Sequence, residues 1–318
     1  MSFIRTVLGS IAPAELGVCH SHEHLIIDRS FAADHEPDFL LDSVENGISE
    51  LQELKSLGVG ACVDSMPCDC GRNAGKLAEI SRGSGVHIIA PTGLHLAKYY
   101  DSGHWSNYES VANLTRLFVA DIEVGIDAND YSSPLVSRTD IKAGLIKVAA
   151  LREWDERTRR IFQAAANAHG TTGCPILTHT EEGQLALEQA LFLKEHGVDL
   201  GHVVLSHLDR NPDPQTHIEV LQTGVTIEYD SHFRWKNRAD NPTLELLKTL
   251  LPQFPDQIVL GMDAARRSYW KSYGGGPGLS YLYNDFRQQM LEAGIAPELV
   301  HKVFVTTPAR VFSFKENQ

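Results

Sequence analysis

The chain has 318 residues, of which 42% are apolar and 22% charged, the make-up of an ordinary soluble globule; wholesale disorder, collagen and coiled coil are excluded. Its formal net charge of −13 argues against a nucleic-acid or anionic-membrane binder, and it has no run of about 18 uncharged apolar residues that could span a bilayer. The start, MSFIRTVLGSIAPAELG, carries one Arg and no sustained apolar core, so no signal peptide is expected. Cys19, Cys62, Cys68, Cys70 and Cys174 are sparse and odd in number, which points away from a disulfide framework and towards a reducing cytoplasm. Histidine, at 15 residues, is the excess that position has to explain.

Short Val/Ile/Leu-rich runs alternate with longer amphipathic ones. Strands are expected near Gly17–Ile26, Gly60–Ser65, Val86–Gly93, Gly144–Ala149, Pro175–His179, His202–His207, Val225–Tyr229 and Ile258–Met262, each apolar enough to be buried on both faces of a parallel sheet. Helices are expected over Leu41–Leu57, Asp155–His169, Gly183–His196, Gln215–Thr223, Pro242–Gln253 and Tyr281–Ala293, with Gly58, Gly170, Gly197 and Gly224 as C-cap candidates and Pro242 and Pro297 in first turns. Eight βα units in series fit a (β/α)8 TIM barrel or a doubly wound sheet, and the lack of G-x-G-x-x-G after the first strand disfavours the latter. The long connection His95–Asp140 after strand three, with a helix around Val111–Gly125 and a loop at Asn129–Thr139, reads as an insertion in a single domain covering 1–318.

Candidate ligands recur at strand ends. The first strand carries His20-Ser-His22-Glu-His24, the fourth Lys147, the fifth His179, the sixth His207 and the eighth Asp263. Lys147 to His179 is 32 residues, His179 to His207 is 28, and His207 to Asp263 is 56, or two steps of 28; a βα unit has about this length. The seventh strand supplies none. In a barrel these ends converge on one mouth. His22 and His24, two apart on a strand, share a face, with His20 one step deeper, either packing in the barrel or supporting the ligands. Four imidazoles and a carboxylate suit Zn²⁺ or Mn²⁺. A buried ammonium would be out of place there, but Lys147 carboxylated by CO₂ would be an anion able to bridge two metals.

GVCHSHEHLI, GLIKVA, ILTHT, VVLSHLD and LGMD, in this order and spacing, resemble the phosphotriesterase family of the amidohydrolase superfamily, through nearly the whole chain. The resemblance implies two divalent ions, zinc with manganese or cobalt as alternatives: one on His22, His24 and Asp263, the other on His179 and His207. A carboxylated Lys147 and a hydroxide would bridge them. The hydroxide would be the nucleophile of a hydrolysis and Asp263 its proton acceptor. Family members are often homodimers.

Substrate choice falls to the mouth loops. DSHFRWKNR and DAARRSYWK place Arg234, Lys236, Arg238, Arg266, Arg267 and Lys271 after strands seven and eight, where barrels often hold phosphate; a solvated charged loop is the plainer alternative. Lys236, Arg266 and Tyr269 match the phosphate set of the family's phosphorylated sugar lactonases. His95 stands in TGLHLAKYY where other members carry an aromatic, with Tyr99 and Tyr100 beyond it. Cys68-Asp-Cys70 is expected to pack in a loop. The expectation is a lactonase for a small phosphorylated sugar, an anionic small molecule. Its rivals are hydrolysis of an unphosphorylated lactone, ester, amide or organophosphate, and a non-catalytic metal-binding protein.

Overall fold

A computed structural model describes residues 2–238 and 240–315. A short antiparallel hairpin, β1 (Ile4–Thr6) and β2 (Gly9–Ile11), precedes the barrel. Its three-residue strands are too short to leave a periodic signal. The barrel strands are β3 (Val18–Glu23), β4 (Val59–Asp64), β5 (His87–Ile89), β6 (Pro91–Gly93), β7 (Leu145–Ala149), β8 (Ile176–His179), β9 (Val203–Ser206), β10 (Thr226–Tyr229) and β11 (Ile258–Leu260). All their pairings are parallel. The third expected strand is divided: β5 pairs back to β4 and β6 forward to β7, and the carbonyl of Ala90 between them accepts from Gly144 N at 2.9 Å.

The barrel closes where Met262 N and Asp263 N donate to the carbonyl of His22 at 3.1 and 3.0 Å. Closure demands glycine at 261, because a Cβ there would lie 2.6 Å from Cβ of His22. Residues alternate along each strand. Cys19, Ala61, Val63, Ile89, Leu145, Leu177, Val204 and Val259 form an interior cluster, sealed by Ile4, Leu16, Val311 and Phe312. Ile88, Ile146, Ile176, Val203, Ile227, Tyr229 and Leu260 belong to the larger cluster shared with the helices. Among the described residues β10 gives the interior cluster nothing apolar; its alternate positions are the buried Thr226 and Glu228.

The surrounding helices are α1 (Phe31–His35), α2 (Val44–Ser56), α3 (Ala74–Ser84), α4 (Val111–Glu123), α5 (Glu156–Thr172), α6 (Ala186–Glu195), α7 (Pro214–Leu221), α8 (Pro242–Leu250), α9 (Arg287–Glu292), α10 (Pro297–His301) and α11 (Thr307–Val311). Side chains of Ser43, Asn73, Ser110, Asp155, Asp213 and Asn241 accept backbone N–H groups at their N-termini. The sequence reading passes over α3, whose glycines weaken the helical pattern. It also ends α5 too early. Gly170 lies inside the helix, and Gly173, at φ 73°, caps it by donating to the carbonyl of His169 at 2.7 Å. Phe118 of α4 and Phe162 of α5 are wholly buried, each contributing about 1.5–3 kcal/mol of transfer free energy. No helix among the described residues is long and apolar enough to cross a membrane.

Candidate metal centre

The carboxyl ends of the strands open on a cavity whose lining includes His22, His24, Lys147, His179, His207 and Asp263. The structure thus brings together all six expected ligands, drawn from five strand ends. His24 Nε2 lies 3.2 Å from Asp263 Oδ1 and His22 Nε2 3.8 Å from the same oxygen. These three residues offer ligand atoms within 4.8 Å of one another. The rings of His179 and His207 have centroids 4.5 Å apart, and His207 stands 4.9 Å from His22. His207 and Asp263 both take left-handed backbone, φ 68° and 47°, a conformation uncommon outside glycine that clusters at functional sites.

The donor set fits divalent ions. Burial lowers the pKa of His22, His179 and His207, keeping the imidazoles neutral as ligation requires. Lys147 Nζ is buried with no hydrogen-bond partner, and burial pulls its pKa down to about 8. An amine so placed is available to become an anion by carboxylation. Burial alone would raise the pKa of Asp263, but the hydrogen bond with His24 and the charges of Arg210 and Arg234 outweigh it and hold the carboxyl well below its usual range.

His20 does not share the face of His22. The β3–β4 register shifts between Val18 and Cys19 and again between His20 and Glu23, so Cys19 faces the interior. His20 Nδ1 instead pairs with Glu23 Oε1 at 3.1 Å. The same Glu23 oxygen accepts from Met262 N at 3.2 Å, so the middle residue of HEH braces the barrel seam.

Strand seven, expected to contribute nothing, supplies two acids. Glu228 Oε2 lies 3.0 Å from His22 Nδ1, and Asp230 bonds His207 Nδ1. The signal was available: IEYD places two acids at period-two spacing on an otherwise apolar strand. Arg210 was also missed. One turn past His207, its Nη2 donates to Asp263 Oδ2 at 2.6 Å and to Asp230 Oδ1 at 3.1 Å.

Beyond the ligands, the cavity lining includes His95, Tyr99, Phe39, Met66, Cys70, Arg210, Arg234, Arg266 and Tyr269. Two expected substrate contacts are absent from that lining. Tyr100 lies behind the wall, where its hydroxyl accepts from His95 N at 2.8 Å and donates to Cys68 O at 3.0 Å. Lys236 is exposed, and its amine donates to Phe233 O at 3.3 Å. The turn after β10 buries Phe233 against Tyr269 at 5.1 Å and directs Arg234 to Asp263, which carries Lys236 to the surface. Arg238, Arg267 and Lys271 are taken by Asp240, Asp42 and Glu53. Cys68 Sγ packs 3.6 Å from Thr92 and Asp121.

A parallel barrel whose C-terminal mouth gathers four imidazoles, a lysine and an aspartate defines a metal-dependent hydrolase. The Phosphotriesterase family model matches residues 2–312, and the chain belongs to that family. It is 33% identical to a phospho-furanose lactonase of Mycoplasmopsis synoviae, over 99% of this chain and 93% of the relative. Two solved structures are similar. A lactonase from Listeria monocytogenes has a TM-score of 0.91 at 31% identity, covering 99% and 100% of the two chains. The phosphotriesterase homology protein of Escherichia coli, complexed with phosphate in its active site, has a TM-score of 0.85 at 28% identity, covering 94% and 99%.

Proposed function

We propose that the protein opens the lactone ring of a small phosphorylated sugar. The observation that carries this reading is that the ligand set, three guanidiniums and two phenols line one cavity: His22, His24, Lys147, His179, His207 and Asp263 beside Arg210, Arg234, Arg266, Tyr99 and Tyr269, with Arg210 turned to Asp263 and Asp230. The phospho-furanose lactonase relative supports it. One divalent ion would be held by His22, His24 and Asp263, the other by His179 and His207, with a carboxylated Lys147 between them; zinc suits these donors, with manganese or cobalt as rivals. Bound there, the ions supply an activated water and polarise the lactone carbonyl.

The chain's own residues do the rest. Asp263 Oδ1 accepts the proton of the attacking water. The water oxygen bonds to the lactone carbonyl carbon, the ring C–O bond breaks, Asp263 returns the proton to the released oxygen, and a hydroxy acid leaves. Arg234 and Arg266 present forked donors, and Tyr269 a hydroxyl, to the phosphate. Leu96 N donates to His95 Nδ1 at 2.8 Å, which leaves the ring proton on Nε2 as a donor for a sugar hydroxyl. The free, buried cysteines suit a reducing cytoplasm.

A second reading, an unphosphorylated lactone, ester or N-acyl amide, is favoured by two ion pairs: Arg266 is already paired with Glu36 at 2.9 Å and Asp38 at 3.6 Å. A pH-indicator hydrolysis screen over phosphorylated and unphosphorylated aldonolactones decides. Preference for the phosphorylated set is expected; equal rates would sink the phosphate assignment.

A further inference from the structure

We infer that Glu228 is a positioning residue: from inside the barrel it holds Nδ1 of His22, so that Nε2 is presented to the metal site. The inference rests on the metal-dependent hydrolase reading and is independent of which substrate is hydrolysed.

Glu228 occupies an interior position of β10, the layer that the other barrel strands fill with Cys19, Ala61, Val63, Leu145, Leu177, Val204 and Val259. A carboxylate in that layer is expensive, and packing alone would be better served by an apolar side chain. The side chain is wholly buried. Its Oε2 is 3.0 Å from His22 Nδ1, while Oε1 has no partner. The hydrogen-bonding capacity of a costly group is therefore directed at a single imidazole. The backbone of His22 is already fixed, since its carbonyl takes both closing bonds from Met262 and Asp263. What remains free is the rotation and tautomer of its ring; the Glu228 carboxyl on Nδ1 fixes the rotation, and with the ring proton on Nδ1 the Nε2 lone pair is left towards Asp263 Oδ1.

Asp230 has the equivalent place beside His207, but it also takes Arg210, Arg234 and Ser231. Removing Asp230 would disturb several contacts at once. Glu228 makes a single hydrogen bond, to His22, with Asp230 close beside it, so its effect on the ring is the easier one to separate.

The test replaces Glu228 with methionine, close in volume and unable to accept the bond, and with glutamine, which can. Zn²⁺ affinity is measured by competition with a chromophoric chelator, together with the Co²⁺ visible spectrum and melting of the metal-free protein. Glu228→Met is expected to bind one of the two ions 10–100-fold more weakly with an altered Co²⁺ spectrum. Its metal-free melting should be no lower than wild type, and Glu228→Gln should recover most of the affinity. Wild-type affinity and spectrum in Glu228→Met would overturn the inference. So would a metal-free melting loss with affinity per folded molecule unchanged. If Glu228→Met does not fold, ¹⁵N shifts of His22 in the wild-type metal-free protein decide: a proton on Nδ1 supports the role, and one on Nε2 refutes it. A failed lactone screen leaves each of these readouts standing.

Discussion

Arg234 Nη2 donates to Asp263 Oδ2 at 3.1 Å, while the other oxygen of that carboxylate stands 3.2 Å from His24 Nε2. One side chain thus joins the metal ligands to the cationic loop after β10. Anion recognition and chemistry are therefore neighbours in this cavity, and a ligand phosphate on Arg234 would sit within reach of the reacting end. Arg234→Met is expected to lower kcat/KM on a phosphorylated lactone by about 10²–10³-fold, corresponding to the loss of a charge-assisted forked contact of roughly 3–4 kcal/mol. On the unphosphorylated analogue the loss should be smaller, confined to what Asp263 loses when the bond from Arg234 to its Oδ2 is removed. Arg266→Ala should discriminate in the same direction. Lys236→Ala, at an exposed position outside the cavity, should change neither. Equal losses on both substrates would remove Arg234 from the phosphate site.

Lys147 has no partner for a fully buried amine, and this predicts how the metal enters. If the amine becomes a carbamate, reconstitution of chelator-stripped protein should be faster with added bicarbonate and slow in CO₂-depleted buffer. Lys147→Met should bind fewer metal equivalents and lose activity by orders of magnitude while remaining folded, since an apolar chain suits the pocket better than an ammonium. Metal analysis and circular dichroism on the same samples check both halves. Bicarbonate-independent reconstitution would leave Lys147 a neutral amine.

The barrel and its ligands were readable because both depend on strand-level rules: apolar runs at βα intervals and chemistry at carboxyl ends. Arg210 and Glu228 follow different rules. Arg210 becomes functional only because the turn after His207 brings its guanidinium back over Asp263, and Glu228 only because closure of the barrel sets β10 next but one to β3, with β11 between them, though the two residues are 206 apart in sequence. Spacing along the chain does not carry such meetings. His20 was misplaced because strict alternation was assumed through a strand whose register shifts. Lys236 was favoured over Arg234 by motif position, and the path of one tight turn reverses the order.

His232 predicts an acid response that owes nothing to the metals. Its ring is stacked on Phe286 at 4.4 Å and Tyr281 at 5.9 Å, and neither nitrogen has a partner. Burial pushes its pKa down from 6.5 to about 3. The folded value lies below the unfolded one, so the unfolded chain takes the proton first. The stability contribution is complete above about pH 6.5 and is lost as pH falls from there towards 3. At pH 5 the loss from this residue is about 2 kcal/mol. His232→Phe leaves no hydrogen bond unmade and should flatten the decline in melting temperature between pH 7 and 5. An unchanged slope would show that other groups control it.

Gly93 ends β6 beside Lys147 and Gly261 follows β11 beside His22, and each is required by a backbone contact. A Cβ at Gly93, where φ is 106°, would fall 1.9 Å from the carbonyl oxygen of Lys147; one at Gly261 would meet His22 N and Cβ at 2.6 Å. Neither obstacle is a flexible side-chain end, so the strand itself must move. Gly261→Ala is expected to cost about 1–3 kcal/mol by overpacking. The displacement falls on the segment that carries His22 and the hydrogen bonds from Met262 and Asp263. Metal affinity should therefore drop more than melting of the metal-free protein implies. Gly93→Ala adds left-handed strain to the clash and should be the more destabilising of the two. Thermal melts with and without metal separate the effects: a Gly261→Ala protein whose metal-induced rise in Tm equals the wild-type value would show that the seam relaxes without disturbing the ligands.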